Sequence, residues 1–184
     1  MTIINGWLEW ATKYPSPNYN QRPESAVVSL LVIHNISLPP GEFGGGYVQQ
    51  FFQNQLDVGV HPYFETIASM QVSAHVFIER SGEVIQFVSF NDRAWHAGNS
   101  SFEGVTNCND YSIGIELEGA DDIPYTDAQY RSLDKVTRQL LQTYPKLTHG
   151  RITGHEHIAP GRKTDPGPAF DWRRYRDSLN YSPG

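Results

Sequence analysis

SAVVSLLVIHNIS, residues 25–37, is a near-continuous apolar run in which Val, Leu and Ile follow one another without polar residues at every second place. A strand that alternates polar and apolar residues has one wet face, whereas one without alternation is covered on both. The run therefore predicts a central strand with layers above and below it, and His34 falls at its end. LPPGEFGGGYV (38–48) then reads as a glycine- and proline-rich loop, a flexible rim beside His34. After it, YVQQFFQNQL sets Tyr47, Val48, Phe51 and Phe52 at helical spacing.

Further along, VSAHVFIE and EVIQFVSF flank Arg80, Ser81 and Gly82, and a Ser-Gly pair between two β-rich runs predicts a hairpin. YSIGIELEG (111–119) alternates strictly, with Ile113, Ile115 and Leu117 on one face and Gly114, Glu116 and Glu118 on the other. Two carboxylates point the same way, Glu118 being expected at the exposed strand end beside Gly119. Thr126 opens a TxxQ capping box with Gln129, and Tyr130, Leu133, Thr137, Leu140 and Tyr144 mark one side of a helix that ends near Pro145. With Asp171 as N-cap, a last helix puts Trp172, Tyr175 and Leu179 on one face and the arginines of RRYR (173–176) on the other. Strands and helices interleave without a repeat or a linker. The expected fold class is α/β, a single domain over 1–184 with a central mixed β-sheet flanked by α-helices.

Composition narrows the function. The 184 residues carry a formal net charge of -6, which argues against a phosphate-binding surface and hence against nucleic acid as a partner. Hydrophobic residues at 39% and charged residues at 18%, without a biased stretch, describe a globular chain. The single cysteine, Cys108, is read as a small buried hydrophobe in a reducing compartment. The start, MTIINGWLEWATKYPS, lacks the basic and apolar regions of a signal peptide, and no stretch reaches the roughly eighteen apolar residues of a spanning helix. A soluble, cytoplasmic protein without membrane contact is expected.

HEHIAPGRKTDPGPAFDW (155–172) holds two histidines, Lys163 and Asp165 between stiffening prolines. Catalytic zinc takes about three protein ligands, usually imidazole or carboxylate, and keeps one position open. His34, His155 and Asp165 fit that inventory, on a strand end and on a loop whose Pro160, Pro166 and Pro168 restrict its freedom. The spacing is no general metal signature, however, and seven histidines offer other triads, with His157 the strongest rival ligand. Read without a metal, His34 is a core histidine at a strand end, and His155 and Asp165 cap turns. A hydrolase also needs a base and a cation for the developing oxyanion. Glu116, on the covered face of a strand, and Lys163 are the candidates, although Lys163 reads equally as a solvated loop lysine beside Arg162. His75 reads as a satisfied core residue within a strand, and RAWHAGNS (93–100) as a turn-rich loop exposing Trp95 and a histidine, as substrate grooves do, with simple core packing the equal alternative for Trp95.

Taken together, VIHNIS, SAHVFIERSGEVIQFV, RAWHAG, NDYSIGIELEG, YTDAQY and TGHEHIAPGRKTDPGPAFDW resemble the AmpD-type N-acetylmuramoyl-L-alanine amidases, in order and over roughly residues 5–180. The resemblance implies a peptidoglycan-recognition-protein fold and one Zn2+ per chain on His34, His155 and Asp165. It implies catalytic roles for Glu116 and Lys163, and substrate-groove places for Asn35, Trp95 and Asn107; His157 falls at a variable position and drops out as a ligand. It further implies a monomer acting on a small soluble muropeptide with 1,6-anhydro-N-acetylmuramic acid, cut between the lactyl group and L-Ala during cytosolic cell-wall recycling, which lowers the pool of muropeptides that induce β-lactamase. The alternative within the family is a lytic or periplasmic amidase acting on intact peptidoglycan. Gln71 and Asn107 depart from the arginines expected at those positions, which puts the stem-peptide preference in doubt.

Overall fold

The computed structural model describes residues 2–180. The opening apolar run is a strand only over Leu30–Ile36, shorter than its sequence predicts. Its partner strand Ser112–Glu118 begins opposite Leu30, so the preceding residues have no ladder to join, and Val27 is exposed. Both faces of the strand are covered, as the lack of alternation requires. It lies second in a six-stranded sheet of order Ile152–Gly154, Leu30–Ile36, Ser112–Glu118, Val76–Ile78, Val84–Gln86 and Thr12–Lys13. Neighbours run parallel except in the 76–86 hairpin, where Val76 pairs Gln86 and Ile78 pairs Val84. The sheet is mixed, as expected.

One face packs on two helices. Leu31, Ile33, Ile113, Ile115 and Leu117 meet Leu133, Val136 and Leu140 of α3 (Asp127–Thr143) and Tyr175 and Leu179 of α5 (Trp172–Asn180). The capping box of α3 is complete: Thr126 Oγ1 accepts from the Gln129 N–H, and Gln129 Oε1 accepts from the Thr126 N–H. Asp171 Oδ1 accepts from the Arg174 N–H at 2.9 Å, capping α5 and leaving its arginines exposed.

The other face is covered by two separate apolar clusters. Over Phe77 and Ile85 lie Phe51 and Phe52 of α1 (Tyr47–Phe52) and Phe64 and Ile67 of α2 (Pro62–Ile67). Over Leu30 and Val32 lie Ala97, Cys108, Tyr111 and Ile158, the last from α4 (His155–Ile158). Each fully buried side chain of this size contributes roughly 1.5–3 kcal/mol. Between the clusters the sheet presents His34 and Glu116, and that interruption positions the site. Among the described residues no helix is long and apolar enough to cross a membrane.

Glu118 departs from its sequence reading, whereas His75 is the satisfied core residue expected and differs only in lying one residue outside its strand. Glu118 is buried at 5% exposure: its carboxylate accepts from the Gly44 N–H at 2.5 Å and the Arg80 N–H at 2.9 Å. It ties the glycine-rich loop and the hairpin turn to the sheet, and a partner 74 residues away leaves no local trace in sequence. His75 precedes its strand by one residue and is fully buried, Nδ1 accepting from the Gly114 N–H and Nε2 facing the Asp92 carbonyl. Burial, with the Arg22 cation beside the ring, lowers its pKa to about 3.

An acid-stability prediction follows from His75. The unfolded chain takes up a proton below the ordinary histidine pKa of about 6.5 while the folded one does not, so this stability is whole above that pH and is lost as pH falls toward 3. The slope from one such histidine is about 1.4 kcal/mol per pH unit. Urea unfolding of metal-free protein at pH 7 and 5 is expected to show at least this loss, and His75→Gln a shallower one. Equal slopes would mean that His75 charges without unfolding.

Candidate functional site

Register builds the site. Glu116 stands directly across from His34 on the adjacent parallel strand, and Gly154 pairs with Ile33, so His155 begins α4 one residue beyond the sheet. All three lie toward the carboxyl ends of neighbouring parallel strands, where open α/β sheets hold their ligands. Asp165 arrives on the loop after α4. That loop is tied down by the Glu156 N–H to the Asp165 carbonyl at 2.9 Å, and by Tyr125 Oη and Asn35 Nδ2 donating to the Pro166 carbonyl at 2.7 and 3.2 Å. Gly167 has φ +78°, and a Cβ there would stand 2.3 Å from Asp121 Cα. Only glycine lets this loop close on its neighbour.

His34 Nδ1, His155 Nδ1 and Asp165 Oδ2 converge: the nitrogens are 2.9 Å apart and each is 3.1 Å from the carboxylate oxygen. His155 Nε2 lies 3.0 Å from the Ala97 carbonyl, which can only accept, so Nε2 carries a proton and in the neutral ring Nδ1 offers a lone pair. Its contact with Asp165 thus joins two acceptors, an arrangement that a cation between them satisfies. Burial lowers the His34 pKa to about 4 and keeps it neutral. Two imidazoles and a carboxyl group converging on one point form a zinc-type donor set.

Glu116 Oε1 is 4.0 Å from His34 Nδ1, and its buried Oε2 has no hydrogen-bond partner among the described residues. Burial, then the negative charge of Asp165, push its carboxyl well above the ordinary range. Perturbed groups with an unmet polar atom facing a cleft mark candidate reaction centres.

The cleft encloses about 490 Å3. His34, Glu116, His155, Lys163 and Asp165 line its floor, and Leu38, Phe51, Tyr63, Ile67 and Met70 its apolar wall. No hydrogen bond or ion pair ties the Lys163 ammonium to another described residue, leaving it to the cleft. Asn35 and Trp95 also line the space, although the Asn35 amide is engaged by Asp121 and Pro166 and the Trp95 Nε1–H by Asn20 Oδ1. Asn107 lies outside the lining, in a left-handed turn (φ +56°) whose N–H bonds the Ser100 carbonyl. His157 is exposed and paired with Glu156, away from the other ligands. Sequence reasoning gave His96 no part beyond the loop. Its ring faces His34 across 62 residues, a contact without any local signal.

Residues 23–168 match the family model described as N-acetylmuramoyl-L-alanine amidase. The 1,6-anhydro-N-acetylmuramyl-L-alanine amidase AmpD of Citrobacter freundii is 55% identical over 176 residues, 96% of this chain and 94% of that protein. A crystal structure of a selenomethionine AmpD derivative superposes with a TM-score of 0.94 at 54% identity, covering 97% of this chain and 99% of the other. The Escherichia coli amidase AmiD, solved with anhydro-N-acetylmuramic acid-L-Ala-D-gamma-Glu-L-Lys, matches at TM-score 0.61 and 27% identity over 86% of this chain and 60% of its own. With the match running through the strand of His34, the strand of Glu116 and the loop of Asp165, the chain belongs to the N-acetylmuramoyl-L-alanine amidase family.

Proposed function

We propose that this chain is a zinc amidase of cytosolic cell-wall recycling. Its substrate is a soluble muropeptide, cut at the amide between the lactyl group of 1,6-anhydro-N-acetylmuramic acid and L-Ala. The observation that carries the reading is the convergence of His34 Nδ1, His155 Nδ1 and Asp165 Oδ2 beside a buried carboxyl with an oxygen unmet among the described residues. The full-length likeness to AmpD supports the anhydro substrate, and AmiD binds an anhydro-muropeptide in its own structure. A single buried free thiol, Cys108, suits a reducing compartment.

One Zn2+ would be held by His34, His155 and Asp165. Bound there, it supplies Lewis-acid polarisation of the carbonyl and a nucleophilic water of pKa near ~7. Glu116 takes a proton from the attacking water. The new bond joins the water oxygen to the lactyl carbonyl carbon, and the carbon–nitrogen bond breaks as Glu116 returns its proton to the L-Ala nitrogen. A carboxyl raised by burial suits this exchange, since it takes up a proton more readily than an ordinary glutamate and can give it back. Lys163 faces the cleft and stabilises the negative oxygen of the tetrahedral stage. The products are a lactyl carboxylate and a peptide with a free amino terminus.

Lys163→Ala is expected to lower kcat roughly 100-fold, the usual effect of losing one preorganised oxyanion donor, with a much smaller change in KM. Weaker binding with unchanged turnover would assign Lys163 to substrate capture. The whole proposal is tested by purifying the protein without added metal, measuring zinc per chain, and assaying anhydro-muropeptide and intact sacculi in parallel. One zinc with cleavage of the soluble substrate alone is expected. Sacculus digestion would move the chain to the lytic branch, and absence of both zinc and cleavage would sink the enzyme reading.

A further inference from the structure

The two residues that follow Trp95 reach both histidine ligands from behind. The Ala97 carbonyl lies 3.0 Å from His155 Nε2, and His96 Nδ1 lies 2.9 Å from His34 Nε2. On its other side the His96 ring meets Ser112 Oγ, with Nε2 at 3.0 Å. Ser112, Gly114 and Glu116 share one face of their strand, and a Cβ on Gly114 would stand 2.5 Å from His96 Cγ and Nδ1. The absent side chain makes the space for the ring. Asn109, itself buried, holds the segment in place: its Oδ1 accepts from the backbone N–H of His96 at 3.1 Å and of Ala97 at 2.8 Å.

We infer that His96 is a positioning residue which fixes His34 in the tautomer that ligates metal. A neutral imidazole carries one ring proton, so His34 presents a lone pair at Nδ1 only when the proton sits on Nε2. His96 Nδ1 is the acceptor for that proton. Its own proton then sits on Nε2 and is donated to Ser112 Oγ, a hydroxyl able to serve either sense of the chain. With both rings neutral and one proton on each, the row Ser112–His96–His34 has one direction that leaves His34 Nδ1 free to bind. The Ala97 carbonyl does the same for His155. Outer partners of this kind orient ligating histidines in metal sites generally.

The inference rests on the zinc reading, and the test separates the two. Zinc affinity is measured by chelator competition for wild type, His96→Phe, which keeps a ring but no acceptor, and His96→Gln, whose amide oxygen accepts again. His96→Phe is expected to bind zinc roughly 10–100-fold more weakly, with His96→Gln recovering most of the loss. Ring 15N–1H correlations of zinc-loaded wild type are expected to show the proton on Nε2 of both His34 and His96, a readout that needs no variant to fold. Wild-type affinity in His96→Phe, or a proton on Nδ1 of His34 or His96 in the loaded protein, would overturn the positioning role alone. No zinc binding by wild type would overturn the metal reading and this inference with it.

Discussion

Glu116→Ala protein is expected to keep its zinc and to lose turnover by roughly 10²–10⁴-fold, the range that a positioned general acid–base contributes. Glu116 is not one of the three converging donors, standing 4.0 Å from His34 Nδ1. Its removal therefore leaves the ligand set whole. It also deletes a buried oxygen without a partner, and discarding an unmet polar atom seldom destabilises a fold. Activity and stability should move apart: a near-complete loss of rate in a protein that unfolds at the same or higher urea. Zinc content, kcat and a urea curve on one preparation check this, with Glu116→Gln as the variant that preserves shape. A zinc-loaded Glu116→Ala enzyme with near-wild-type turnover would show that another group moves the proton.

Asp165→Ala has a different signature, losing metal and activity together. Asp165 Oδ2 contacts both imidazoles at 3.1 Å and brings the only negative charge to the three-donor set. Without it, two imidazole nitrogens 2.9 Å apart would have to hold a dication unaided. The fall in affinity is expected to exceed the roughly 10–100-fold typical of outer-partner loss. Residual rate should then track residual zinc. A fully loaded Asp165→Ala protein would remove this residue from the ligand set.

Much of the scaffold can be read locally because the residues responsible are neighbours in sequence. Alternation over 112–118 assigned Glu116 to a face, the TxxQ box started α3, Asp171 capped α5, and Arg80–Gly82 turned the hairpin. These signals need only a few residues of context. Assembly of the site is another matter. His34 and Asp165 are 131 residues apart and meet through the register of two strands and a loop clamped by Asn35 and Tyr125, so inventory and spacing alone left rival triads open. Resemblance to a family supplied the choice. Glu118 and His96 escaped for the same reason: their partners, Gly44 and His34, lie 74 and 62 residues away. Apolar content over 25–37 predicts too long a strand because it does not reveal where a partner strand begins.

The sheet face that bears the site is covered by two apolar clusters that do not merge. The wall of the cleft belongs to the cluster of α1 and α2, while His155 and Asp165 stand on α4 and the loop beyond it. Substitutions at Tyr63, Ile67 or Met70 can reshape what the cleft admits without disturbing a single donor atom. Substrate selection and bond cleavage therefore rest on different parts of the chain.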